Sequence, residues 1–121
     1  MRGLKIVVLT ADAERFRGAL TLAAAHAAIG GSAVVLLQLG AVALLGPATF
    51  VQDDPACAAI GLPTLAELLE EALDLGVEIV ACQSGLMLAG LRAAELDARI
   101  AVGGPVGFLQ TLDPEERLII V

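Results

Sequence analysis

The chain has no tryptophan and no tyrosine, and it carries a single lysine, a single histidine and two cysteines in 121 residues. Each scarcity excludes something. Binding nucleic-acid phosphates takes clustered Lys and Arg, whereas here Lys5 stands alone, the arginines fall singly or as the pair Arg15 and Arg17, and the net charge is −7. Nucleic acid is therefore not an expected partner. His26 has no His, Cys or carboxylate at the i+3 or i+4 spacing of a metal site, so it reads as a packed or interface residue and no metal is expected. Gly103-Gly-Pro-Val-Gly107 has neither a Walker lysine nor a GxGxxG fingerprint, which makes it an ordinary turn rather than a phosphate cradle. Two cysteines are too few for a disulfide framework and read as free thiols.

Charge is also missing over a long stretch: Ala19 to Gly46 holds no Asp, Glu, Lys or Arg and is long enough to span a bilayer. Its internal grain argues against a span. Gly30-Gly31-Ser32 cuts it in two, His26 and Gln38 interrupt it, and Val34 to Leu39 has the look of a strand. Ile6 to Leu9, before Asp12, is too short for the apolar core of a signal peptide. The expectation is a cytoplasmic chain with no membrane segment.

What the chain has in excess is aliphatic surface. Apolar residues make up 58% and mean hydropathy is +0.86, above the roughly 45–50% of an ordinary soluble domain. A single domain of this length has room for one two- or three-layer core. The surplus is expected to be covered by other copies of the chain. Acidic residues gather at Glu67, Glu70, Glu71, Asp74 and Glu78, the pattern of a solvated helix face.

Leu4 to Leu9 reads as a buried strand, followed by a helix capped by Asp12 and running to about Ala28. That helix has two apolar faces, Phe16, Leu20, Ala23 and Ala27 on one and Leu22, His26 and Ile29 on the other. One is expected to meet the sheet and the other a neighbouring subunit. A second strand over Val34 to Leu39 leads into a long Pro- and Gly-marked loop from Gly46 to Pro63, with a helical turn in it. Thr64-Leu-Ala-Glu67 is a capping box opening a helix with Leu65, Leu68, Leu69, Ala72 and Leu73 inward, and Gly76 stops it. Then come a strand over Val77 to Ala81, a helix over Ser84 to Leu91, a short strand over Arg99 to Val102, a short helix after Gly107 and a last strand over Leu118 to Val121. Apolar strands alternating with helices predict an α/β fold, a mostly parallel sheet covered on both faces.

Cys82 stands where the third apolar run ends and a helical pattern begins. A thiol at the carboxyl end of a buried strand faces the unpaired N–H groups of the next helix, which favour its thiolate. The alternative is a small buried apolar residue. The N–H groups of Gln83 to Gly85 and the Ser84 hydroxyl either support that sulfur or cap the helix. Cys57 lies in the long loop, toward the same end of a parallel sheet, and reads as a loop residue. Asp12 reads as a helix cap, with a catalytic acid as the alternative.

The order of these elements, and above all Gly76-Val-Glu-Ile-Val-Ala-Cys82 followed by Gly85-Leu-Met-Leu-Ala-Gly-Leu91, resembles the DsrE/DsrF-like family, which includes the TusD sulfur-relay subunits. The resemblance covers nearly the whole chain. It implies a three-layer α/β/α fold with a sheet of about five strands, assembly into homotrimers or homohexamers, and a persulfide-carrying cysteine at the position of Cys82. No Arg or Lys is close to Cys82 in sequence, Arg92 being the first beyond it, so helix N–H groups are the obvious stabilisers. The reading is a persulfide carrier that accepts sulfane sulfur on Cys82 and passes it to a partner protein's thiol, without metal or organic cofactor. The rival readings are an oligomeric scaffold or small-ligand-binding protein with a packed Cys82, and a redox sensor closing Cys57 to Cys82.

Overall fold

A computed structural model describes residues 1–47 and 51–121. Five strands form one all-parallel sheet: β1 (Leu4–Val8), β2 (Ala33–Leu37), β3 (Glu78–Cys82), β4 (Ala101–Gly103) and β5 (Arg117–Ile120), in the order β4-β3-β2-β1-β5. Between them run α1 (Ala13–Ala28), α2 (Asp54–Ala59), α3 (Leu65–Asp74), α4 (Gln83–Ala89) and α5 (Pro105–Gln110), with 3-10 turns at Leu39–Leu45 and Ala93–Glu95. The connections from β1 to β2, β2 to β3 and β3 to β4 all step the same way, so right-handed crossovers put α1, α3 and α4 on one face. The connection from β4 to β5 jumps back past β1, which puts α5 on the opposite face. The architecture is three-layer α/β/α. No helix among the described residues is long and apolar enough to cross a membrane.

The two faces are covered unequally. Ile6 and Val8 of β1, Val35 and Leu37 of β2, and Ile79 and Ala81 of β3 form a large core with Phe16, Leu20 and Ala23 of α1 and Leu65, Leu68 and Ala72 of α3. On the other face Phe108 of α5 covers only Val7 and Leu36, with Val34 and Val80 half-buried beside them. Six residues of helix cannot roof five strands, and Leu118 and Ile120 stay exposed. The sequence expectation of a sheet covered on both faces holds in kind but not in extent.

Lys5 is the polar exception inside β1 and turns toward that thin face, where it is only 4% exposed. Its ammonium donates to the Thr111 carbonyl at 2.7 Å, the Thr111 hydroxyl at 3.2 Å and Glu116 Oε1 at 3.0 Å. The Phe108 ring centroid lies 5.7 Å away. A buried charge is tolerable only when so paired, and the pairing pins the end of α5 and the turn before β5 onto β1.

Local signals explain most boundaries. Asp12 Oδ1 accepts from the Arg15 N–H at 3.1 Å and caps α1, which stops where Gly30 takes a φ of 97°. The capping box of α3 is closed in both directions, Glu67 N–H to Thr64 Oγ1 at 3.2 Å and Thr64 N–H to Glu67 Oε1 at 3.0 Å. Arg17 on α1 reaches Asp54 at 2.5 Å and the Pro63 carbonyl at 2.6 Å, tying α2 and the start of α3 to α1. The stretch from Gly46 to Pro63, expected as a loop with a helical turn, contains the six-residue α2; Ala48 to Phe50 lie outside the described residues. β4 begins at Ala101 rather than Arg99, because Arg99 is drawn into ion pairs with Glu70, Asp74 and Asp97. β2 ends at Leu37, short of Leu39, whose backbone turns left-handed.

Replacing Thr64 with alanine removes the acceptor for the Glu67 N–H, and the expected loss is about 1 kcal/mol of unfolding free energy. Urea denaturation of Thr64→Ala checks this; an unchanged midpoint would mean the capping box does not hold α3.

Candidate functional site

Cys82 is the last residue of β3 and the N-cap of α4, with extended dihedrals (φ −66°, ψ 130°) that hand the strand over to the helix with no intervening loop. That handover places the sulfur at the carboxyl end of the parallel sheet, where clefts form between strand ends and helix starts. Cys82 is 4% exposed and lines a cleft of about 340 Å³ together with Gln83, Ser84, Gly103, Gly104, Pro105, Val106 and Gly107. The register explains the company: Cys82 is paired with Gly103 across the β3–β4 ladder, so the glycine turn into α5 rises directly beside it.

No charged side chain lines this cleft. Burial by itself pushes the Cys82 thiol up, but the main-chain N–H groups of Leu39, Gly85 and Ser84, with the Ser84 hydroxyl, more than reverse that effect. The thiol is held below its ordinary value of 9.0. Hydrogen bonds to the charged form favour ionisation, and here main-chain and hydroxyl dipoles replace the cation that usually activates a cysteine.

Gly85 is required by packing. A Cβ there would run into the Val42 side chain and stand 2.5 Å from the Leu39 carbonyl oxygen. Its absence lets the first turn of α4 lie against the 3-10 turn over Leu39–Leu45, whose Ala41, Val42 and Leu45 are buried.

Of the residues singled out in the sequence, Cys82, Gln83, Ser84 and Gly85 come together at this junction. Asp12 and Cys57 do not line the cleft. Asp12 spends one oxygen on its cap and pairs with Arg15 at 3.9 Å. Cys57 is half-buried on α2, and both cysteines are free thiols. Leu39 and the glycine turn at Gly103–Gly107 are the participants that the sequence did not disclose. The turn was visible as glycine and proline, but its position beside Cys82 depends on β4 being the neighbour of β3. Leu39 acts through its main chain, which no residue type announces. Among the described residues there is no cluster of three His, Cys, Asp or Glu side chains able to hold a metal.

No protein-family model matches this chain, and no curated protein sequence matches it. Its fold is similar to the crystal structure of the ychN protein from E. coli, with a TM-score of 0.74 over 100% of both chains at 15% identity. The likeness shows the fold. It extends over the full length, so the β3–α4 junction lies within it.

Two outcomes follow from the cradle. Gly85→Ala forces α4 away from Leu39 and Val42; overpacking of this kind costs about 1–3 kcal/mol, and slower alkylation of Cys82 should accompany the lower melting temperature. Alkylation at the wild-type rate would uncouple the contact from the thiol. The second concerns pH: because the folded thiol ionises below 9.0, the unfolded chain binds more protons between the folded pKa and that value. Stability from this group is therefore fully present above 9.0 and is lost as pH falls through the folded pKa. Urea unfolding of wild type and Cys82→Ala across that window should show the steeper rise in wild type; parallel curves would contradict the depressed pKa.

Proposed function

We propose that this chain is a sulfur-relay protein in which Cys82 carries sulfane sulfur as a persulfide. The observation that carries the reading is the place of Cys82 at the β3–α4 junction, where it lines an open cleft at the carboxyl end of the sheet with its thiol held below its ordinary value. The resemblance of the sequence to the DsrE/DsrF-like family and the full-length likeness to the ychN fold support it.

The chemistry balances without an oxidant. The Cys82 thiolate attacks the outer sulfur of a donor persulfide, the donor's S–S bond breaks, and the donor sulfur leaves as a thiolate while a new S–S bond forms on Cys82. A thiolate of the acceptor protein then attacks that outer sulfur, and Cys82 leaves. A lowered thiol pKa assists both steps, supplying thiolate for the first and a better leaving group for the second. Leu39, Ser84 and Gly85 N–H groups stabilise Cys82 as nucleophile and as leaving group, and Gln83 lines the cleft. Asp12 keeps its capping role and Cys57 takes no part in the transfer. The setting is the cytoplasm, where both thiols stay reduced.

The working form is a homo-oligomer, a trimer or hexamer as the resemblance implies. Leu22 and Ile29 are 51% and 69% exposed on the outer side of α1, and with His26, Leu4 and Ile119 they line an apolar depression of about 690 Å³. That face is what a neighbouring copy would cover. The rival reading, an oligomeric scaffold with a packed Cys82, draws on the small exposure of the sulfur, but a packed thiol has no need of a place in the wall of a cleft.

Mass spectrometry after incubation with a sulfane-sulfur donor tests the proposal. The Cys82 peptide should gain one sulfur, Cys57→Ser should load like wild type, and Cys82→Ser should not load. No gain, or a gain that survives Cys82→Ser, would defeat it, and loss of loading in a folded Cys57→Ser would replace it with a two-thiol exchange. Light scattering should give a multiple of 12.3 kDa; a stable monomer would remove the assembly.

A further inference from the structure

We propose that the apolar depression beside α1 takes the acidic end of α3 from a second copy of this chain, with Arg117 of one protomer facing Glu71 of the next. The inference rests on the homo-oligomer reading and deepens it by naming the surface that meets the depression. The cations set the sign of that surface. Seven basic residues stand against fourteen acidic ones, and Arg2, Lys5, Arg15, Arg17, Arg92 and Arg99 each have a carboxylate within 3.9 Å. Arg117 has none among the described residues. It lines the depression with Arg2, whose pairing with Glu115 is long, at 3.9 Å, and open to solvent. An arginine left over beside exposed Leu22 and Ile29 fits an apolar partner of negative sign. Two copies joined depression to depression would set these arginines against their own images, and like charges so placed cost affinity.

The walls of the depression are held in place. His26 Nε2–H donates to the Arg2 carbonyl at 2.8 Å, which ties the start of the chain to α1, and the ring passes so close to Gly31 that a Cβ there would run into it. The matching surface is at the end of α3. Leu75, 42% exposed, shares a shallow hollow with Glu67, Glu70, Glu71 and Asp74. Arg99 takes Glu70 and Asp74, at 2.7 Å each, and Glu67 is spent on its capping box. Glu71 is left with no ion pair among the described residues. An aliphatic side chain framed by carboxylates complements aliphatic side chains framed by arginines.

Topology sets the kind of contact. Arg117 and Ile119 belong to β5, the edge strand beyond β1, whereas α3 crosses from β2 to β3 on the other side of α1. A protomer therefore meets one neighbour through the depression and a different one through α3, a head-to-tail contact that ends only by closing a ring. Both surfaces lie toward the amino end of the sheet: Leu4 and Arg117 open β1 and β5, and Leu75 stands just before β3. Cys82 ends β3 at the opposite side, so this assembly leaves its cleft open to donor and acceptor.

Light scattering of charge variants across a concentration series tests this, with circular dichroism confirming that each is folded. Arg117 and Glu71 are both exposed. Arg117→Glu and Glu71→Arg should each raise the dissociation constant of the assembly by about a hundredfold, and the double variant, which exchanges the two charges, should recover most of that loss. If Arg117→Glu does not fold, the neutral Arg117→Gln should weaken assembly by about fivefold, and no weakening overturns the proposal. Wild-type assembly in both charge-reversed single variants also overturns it, as does a double variant no better than the singles, or a wild-type mass that stops at a dimer. A monomeric wild type defeats the homo-oligomer reading together with this inference, whereas an assembly that ignores both charges defeats this inference alone.

Discussion

The close approach of Gly85 to the Leu39 carbonyl is the contact on which the site depends. It seats the first turn of α4 on the 3-10 turn that leaves β2, and in doing so surrounds Cys82 with main-chain donors from two segments. A sulfur so nearly removed from water would be raised in pKa by burial and inert. The 38–47 and 79–91 segments contain no cation to prevent this, so oriented N–H groups have to do it. Such donors are fixed in place by the fold, act at short range and do not repel a partner of either charge.

The fold supplies that arrangement through topology. Three crossovers stepping one way stack α1, α3 and α4 over a deep core, and the single backward step leaves α5 alone on the other face. Lys5 then becomes the fastening of the thin face, with all its hydrogen bonds going to Thr111 and Glu116. Since α5 begins at the glycine turn that lines the Cys82 cleft, a lysine in β1 and a cysteine at the end of β3 are linked through one short helix. The uneven cover also leaves apolar side chains outside on both faces, Leu22 and Ile29 on one and Leu118 and Ile120 on the other, as the excess of aliphatic residues demands.

Much of this was legible in the sequence where a side chain carries the signal. The Thr64–Glu67 box, the Asp12 cap and the stops at Gly30 and Gly76 appear where residue chemistry put them. The strand–cysteine–helix junction was legible because an apolar run ends at Cys82 and helical spacing starts at once. The end of β2 was not: Val34 to Leu39 is apolar up to Gln38, and nothing in a leucine says that its backbone will turn left-handed. Gly85 could be read as part of a helix start, but its need for close approach is set by Val42 and Leu39, which are distant in sequence. Which strands become neighbours, and therefore which turn stands beside the thiol, follows from crossovers that no local pattern records.

The most direct measurement is the ionisation of Cys82 in the folded protein, with Cys57 replaced by serine so that a single thiol titrates. The rate of alkylation against pH should give an apparent pKa below the ordinary 9.0. A value at or above it would show that burial outweighs the amide and hydroxyl donors, and would contradict the cradle on which the functional reading stands.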